Sequence, residues 1–153
     1  MDKTARLVRE QAQGLRALLI VEDSDEDYEL ACWALRRVGF DRPIQRSKSV
    51  DEALRILRPG DRTQCPCAVL LDVNLPDGTG RDLLESIRAD DGVPPLPIVM
   101  VTTSNNPRDV ELYYRLGAAG YLVKPLDREL FAQQIGAFVN YWFMATVLPA
   151  TTA

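Results

Sequence analysis

An α/β fold, a parallel sheet with helices on both faces, is what this sequence predicts, and three observations lead to it. Apolar runs of strand length recur along the chain. The central ones are near-continuous rather than alternating, as expected of strands covered on both faces. Each is followed by an amphipathic helical pattern, so strand and helix alternate five times, which demands right-handed crossovers and parallel pairing.

The strands read in order at residues 17–21, Ile44–Ser47, Ala68–Leu71, 96–101 and 121–123. The second is the most polar and is expected at an edge. Tyr28, Ala31, Leu35 and Val38 form the first helical stripe, stopped by Gly39. Val50, Ala53, Leu54 and Leu57 form the second, opened by Ser49 with Glu52 at capping-box spacing. Leu83, Leu84 and Ile87 form the third. Asn106 as cap and Pro107 at the first helical position open a fourth, with Val110, Tyr113, Tyr114 and Gly117 on one side. Asp127 caps a fifth, which carries Phe131, Ile135, Phe138 and Trp142. Five such units without a dinucleotide fingerprint predict a flavodoxin-like (βα)5 sheet of order 2-1-3-4-5. The expected division is an extension over residues 1–14, one domain over 15–140 and an apolar tail over 141–153.

At 153 residues the chain holds one domain of ordinary size. A net charge of -4, with no basic run, argues against nucleic acid as the main partner. The absence of histidine excludes serine–histidine catalysis, histidine-ligated zinc and a phosphohistidine on this chain. Three cysteines and no signal-like segment suit a reduced cytoplasm. Cys65-Pro66-Cys67 reads either as a redox or metal pair or as small residues leading into a strand. No window approaches the ~18 apolar residues of a membrane span.

In open sheets of this class, ligands bind beyond the carboxyl ends of the strands. Those ends carry Glu22-Asp23, Asp72, Thr102-Thr103 and Lys124-Pro125. Carboxylates so close repel unless a cation sits among them, and a hard divalent ion such as Mg2+ suits them. Asp72 is the natural nucleophile: it follows the most apolar strand, and the turn Asn74-Leu75-Pro76-Asp77-Gly78 swings the chain clear of it. Lys124 would neutralise charge on a transferred phosphoryl group, and Thr102 could donate a hydrogen bond to it. Each residue has a plainer reading too. Asp23 or Ser24 could merely cap the first helix, and Asp72 could initiate a turn. Gly78-x-Gly80 follows strand three rather than strand one and is read as a turn, not a nucleotide loop.

The segments Leu18-Leu19-Ile20-Val21-Glu22-Asp23, Leu70-Leu71-Asp72-Val73-Asn74-Leu75-Pro76-Asp77-Gly78, Val99-Met100-Val101-Thr102-Thr103 and Gly120-Tyr121-Leu122-Val123-Lys124-Pro125 resemble, in order, the signatures of CheY-like response-regulator receiver domains. The resemblance implies a phosphorylation switch with no output domain of its own, cytoplasmic and acting by binding rather than turnover. Asp72 would be the phosphoacceptor, and Glu22, Asp23, Asp72 and the Asn74 carbonyl would hold Mg2+. Thr102 would be the switch hydroxyl, Tyr121 the aromatic that moves with it and Lys124 the phosphate-sensing cation. A cis bond before Pro125 is also implied. Glu22 departs from the commoner Asp, and Thr103 is bulkier than usual. Asn74 and Ser104 occupy positions where receivers vary their self-dephosphorylation.

Tyr141, Phe143, Met144, Val147 and Leu148 have no obvious place inside such a domain. They either pack back on their own domain or form a homodimer contact. The tail and residues 101–105 resemble small regulators paired with bacterial phytochromes, which implies a phytochrome-type histidine kinase as donor and a dimer built by the C-terminal helix and tail. Two other readings stand beside this one: an aspartyl-phosphate phosphatase or phosphotransferase, and a dimeric interaction module indifferent to phosphorylation. Against the first, the position two after Asp72 is Asn74, an amide that cannot transfer a proton.

Overall fold

Burial on both sides organises the sheet, which consists of β1 (Leu18–Val21), β2 (Ile44–Ser47), β3 (Ala68–Leu71), β4 (Ile98–Thr102) and β5 (Gly120–Val123). The computed structural model describes Lys3 and residues 16–149, so the expected N-terminal extension lies outside the described residues apart from Lys3. The strands pair in parallel in the order β2-β1-β3-β4-β5, as the alternation predicts. Successive residues of β1 and β3 serve opposite faces. Leu18, Ile20, Ala68 and Leu70 join Ala31, Leu35, Phe131 and Ile135 on one side. Leu19, Val21, Val69 and Leu71 join Leu57, Leu83, Leu84 and Tyr113 on the other. Helices α1 (Asp25–Arg37) and α5 (Arg128–Val139) therefore cover one face, and α2 (Val50–Leu57), α3 (Gly80–Arg88) and α4 (Pro107–Arg115) cover the other. Each fully buried leucine contributes about 1.5–3 kcal/mol.

Every one of the five helices has a side-chain N-cap, from Ser24, Ser49, Thr79, Asn106 and Asp127 in turn. Gly39, at φ 77°, turns the chain out of α1 in a conformation that a β-carbon would strain. The box expected at Ser49 and Glu52 is not reciprocal. Ser49 accepts from the Glu52 amide at 3.1 Å, but the Glu52 carboxylate accepts from Lys48 N–H, one residue too early. The reciprocal box belongs to Thr79 and Asp82.

Cys65 and Cys67 are both buried and free. Their sulfurs belong to opposite halves of the core and face different carbonyls, Leu57 O and Ala17 O. Burial pushes both thiols upward. These are packing residues leading into β3, not a redox or metal pair.

Beyond α5 the chain winds through a π-helical turn, Asn140–Ala145. Two tail residues expected to lack an internal place have one. Phe143 is buried edge-on against Phe40, with ring centroids 5.0 Å apart, and Leu148 is 1% exposed within the α1–α5 cluster. Arg16 fastens the end of the tail. Its guanidinium donates to Pro149 O at 2.9 Å and to Cys65 O and Pro66 O at 2.9 and 3.0 Å. Tyr141, Met144 and Val147 face outward. Leu148→Ala should therefore lower unfolding stability by about 2–4 kcal/mol, and Val147→Ala by less than about 0.5 kcal/mol. Urea denaturation with an unchanged slope checks both.

Candidate functional site

Ladder bonds carried past the strand ends fix the backbone of the site. Glu22 N–H donates to Ser47 O at 2.9 Å, and Asp72 N–H donates to Val21 O at 3.0 Å. The carboxylates of Glu22, Asp23 and Asp72 thereby converge, with one oxygen from each lying within 4.8 Å of the others. Glu22 is 4% exposed, and its Oε2 has no hydrogen-bond partner among the described residues. Lys124, held by its own N–H on Thr102 O at 2.7 Å, places Nζ 3.5 Å from Glu22 Oε1 and 3.5 Å from Asp27 Oδ2. A cavity of about 20 Å3, room for roughly one water, runs beneath these groups among Ile20, Leu70, Val101 and Phe131.

The electrostatics are those of an overcrowded anion cluster. Burial raises the Glu22 carboxyl to about 9; the adjoining Asp72 carboxyl adds to the rise, and Lys124 opposes it. Two facing carboxylates repel when both are charged, and either a shared proton or a cation relieves them. Arg46 steadies this corner from β2. Its Nε donates to Glu22 O at 3.1 Å, its Nη1 pairs with Asp25 at 2.8 Å, and it lies 4.4 Å over the Tyr28 ring.

The plainer reading of Asp23 as a helix cap fails. Ser24 Oγ accepts from Asp27 N–H at 3.3 Å, so the cap is Ser24, and Asp23 is exposed in the carboxylate cluster. After Asp72 the chain forms a small hairpin in which Asn74 pairs with Thr79. Gly80 closes it: a β-carbon there would lie 2.9 Å from Asp72 O and 3.2 Å from Val73 Cα. The Gly78-x-Gly80 pair is a turn, as its position after strand three implies.

Thr102 is buried at the end of β4 and accepts from Ser104 N–H at 3.3 Å. Ser104 is a node. Its carbonyl accepts from the Tyr121 hydroxyl at 2.9 Å, and its own hydroxyl donates to Asp109 of α4 at 2.6 Å. Tyr121 is half-buried, 6.0 Å from the Tyr113 ring. Thr103 is exposed. Among the described residues no peptide bond is cis, so the bond before Pro125 is trans, against the expectation. Trans is the lower-energy form even for X-Pro, by about 0.5–1 kcal/mol.

Glu22, Asp23, Asp72 and Lys124 thus meet at one place, while Thr102 and Tyr121 line the adjoining loop and Asn74 lies in the hairpin. Sequence reading missed Asp27, Arg46, Asp77 and Asp109. Only Asp27 left a signal, being one helical turn beyond Asp23 in the first turn of α1.

A parallel five-stranded sheet bearing an acid cluster at its carboxyl edge defines a receiver of the two-component type, a signalling phosphoacceptor. The chain belongs to the response regulator receiver domain family, whose model matches residues 18–136. It is 32% identical over 127 residues, covering 82% of both chains, to the probable methanogenesis regulatory protein FilR2 of Methanothrix harundinacea. It is 28% identical over 148 residues to the response regulator Rcp1 of Synechocystis, covering 88% of this chain and 94% of that one. The phosphorylated cyanobacterial phytochrome response regulator RcpA superposes with a TM-score of 0.78 at 28% identity, covering 88% of this chain and 99% of that one. A Mn(2+)-bound form of Rcp1 has also been solved, with a TM-score of 0.77 to this chain at 29% identity, covering 88% and 99%. Histidine kinases phosphorylate receiver domains, and receiver domains bind Mg2+ or Mn2+ at an acidic pocket. The residues here fit such an ion: an all-carboxylate donor set, one oxygen of it buried without a partner, suits a hard divalent cation. Among the described residues no helix is long and apolar enough to cross a membrane.

The raised Glu22 carboxyl sets a pH dependence. Because its folded value lies above the ordinary 4.5, its proton stabilises the fold fully below about 4.5, and that contribution is lost as pH climbs toward 9. Metal-free protein should therefore lose melting temperature between pH 5 and 9, and Glu22→Gln should flatten that slope. MgCl2 should raise the wild-type melting temperature most at the alkaline end, where no proton competes. Calorimetric melts across this range, with and without the salt, check both.

Proposed function

We propose that Asp72 is the phosphoacceptor of this receiver, and that Glu22, Asp23, Asp72 and the Asn74 carbonyl hold a Mg2+ ion. The convergence of three carboxylates beside Lys124 carries this reading. When bound, the ion offsets carboxylate repulsion and the charge of the incoming phosphoryl oxygens. An Asp72 oxygen attacks the phosphorus of a kinase phosphohistidine. The new P–O bond forms as the P–N bond breaks, and the imidazole leaves with a proton. Lys124 Nζ then turns from Glu22 and Asp27 to the phosphoryl oxygens. Thr102 swings its hydroxyl toward them, and Tyr121, tied to Ser104, repacks with it.

The likeness to RcpA, a cyanobacterial phytochrome response regulator, favours a phytochrome-type sensor kinase as donor. The net charge of -4 favours protein partners over DNA, and three free buried cysteines favour a cytoplasmic setting. The receiver occupies residues 15–140, after a 1–14 extension. The C-terminal helix and the tail build a homodimer contact, a role supported by the exposed Leu130, Tyr141 and Val147. The protein is a switch with at most self-dephosphorylation, since Asn74 stands where a phosphatase acid would.

Intact-mass spectrometry after acetyl phosphate and MgCl2 should show one added phosphoryl group, lost in Asp72→Asn. An unchanged wild-type mass would sink the reading. In sedimentation velocity, Tyr141→Lys with Val147→Lys should convert a dimer to monomer without affecting that mass gain.

A further inference from the structure

The loop that follows Asp72 is moored to a different helix by a side chain with no part in the site described above. The Asp77 carboxylate accepts two hydrogen bonds from the start of α2, from Val50 N–H at 2.8 Å and Asp51 N–H at 3.1 Å. These bonds hold its carboxyl below the usual range. The next residue, Gly78, lies directly on α2: a β-carbon there would sit 3.3 Å from Val50 Cγ2 and 3.0 Å from Asp82 Oδ2. Leu75 of this loop is buried in the core with Leu57 and Leu83, and the loop's other hydrogen bonds stay within it or the first turn of α3. Gly80 N–H bonds Val73 O at 2.7 Å, and Thr79 and Asp82 form their own box. Neither reaches α2.

The geometry points to Asp77 as a positioning residue that braces the Asp72–Gly80 loop against α2, and so sets where the Asn74 carbonyl and the Asp72 carboxylate stand for cation binding and phosphoryl acceptance. The inference rests on the proposed roles of Asp72 and Asn74. Helix α2 is a suitable brace, since Ala53 and Leu57 are fully buried under the sheet. The brace bridges 27 residues of sequence, so the turn motif alone does not disclose it.

The test uses the full chain and two substitutions that both remove a cap from α2. Asp77→Ala removes the cap and the brace; Ser49→Ala removes only the cap, because the Ser49 hydroxyl accepts from Glu52 N–H within α2. MgCl2 titration calorimetry and the rate of mass gain from acetyl phosphate are read at a temperature where each variant is folded. Asp77→Ala should weaken Mg2+ binding and slow phosphorylation by about tenfold, the lower end for an outer partner of a metal site. Ser49→Ala should leave both at the wild-type value. Asp77→Asn, with one acceptor oxygen, should fall between and serves if the alanine variant does not fold. Wild-type binding and rate in Asp77→Ala would overturn the inference, as would equal losses in both alanine variants, which would trace the effect to helix stability. If the wild type binds Mg2+ but takes no phosphoryl group, the proposed acceptor role fails while the calorimetry still judges the brace.

Discussion

The constraint from which the rest follows is the crowding of negative charge at the carboxyl ends of β1 and β3. At the spacing of the cluster, each pair of charged carboxylates repels by about 3–4 kcal/mol at an effective dielectric of 20, and backbone bonds prevent the strands from separating to relieve it. Lys124 cannot settle the account alone, because it stands between Glu22 and Asp27 and is shared by both. The cluster therefore holds a proton or a cation. Glu22 shows the consequence: it is the most buried of the three carboxylates, and its ionisation is pushed far above the ordinary range. A longer side chain than Asp at this position reaches under Lys124 while leaving one oxygen toward Asp72. That divides the single cation and the single gap between its two oxygens.

The same cluster explains why the neighbouring loop is built as a node. Ser104 uses its amide, carbonyl and hydroxyl on three different partners, Thr102, Tyr121 and Asp109. On the proposed switch, a turn of the Thr102 hydroxyl toward an added phosphoryl group would remove the acceptor of the Ser104 amide. One buried hydroxyl at the sheet edge is thus joined to the aromatic on β5 and to the first turn of α4 by two hydrogen bonds each. The shortness of the path makes a two-position response physically reasonable without any large movement of the core.

How much of this was legible in the sequence depends on the range of the interaction. The central strands are written in near-continuous apolar runs, and β3 falls on the residues read as a strand because burial on both faces leaves no polar positions to confuse the period, while the polar β2 was legible only as an edge strand. Glu22, Asp23, Asp72 and Lys124 are legible because strand ends are local and the topology brings them together. Asp77 on α2 and Arg46 on Glu22 O are not, since each joins segments more than twenty residues apart through one side chain and one backbone group. The capping box went to Thr79 and Asp82 because reciprocity depends on how the backbone enters the helix, and spacing alone misplaces it at Ser49. Phe143 and Leu148 looked homeless because the π-helical turn shifts the period of the stripe just beyond α5.

That shift also gives the tail two faces. With the helical period continued from Phe138, position 143 would rotate away from the core; the wider turn returns it to Phe40 and Phe138 instead. Leu148 follows it inward, and Arg16 ties down Pro149 across the amino-terminal ends of β1 and β3, far from the carboxylate cluster. On the other side of this segment Tyr141 and Val147 stay exposed, with the Tyr141 ring set edge-on to Trp142, centroids 4.9 Å apart. Leu130, in the first turn of α5, is a further exposed apolar side chain. The helix that lines the cavity with Phe131 and Ile135 on its inner side therefore carries Leu130 on its exposed side. A partner seated there would bear on α5, which packs on the sheet face that lines the cavity below the acid cluster.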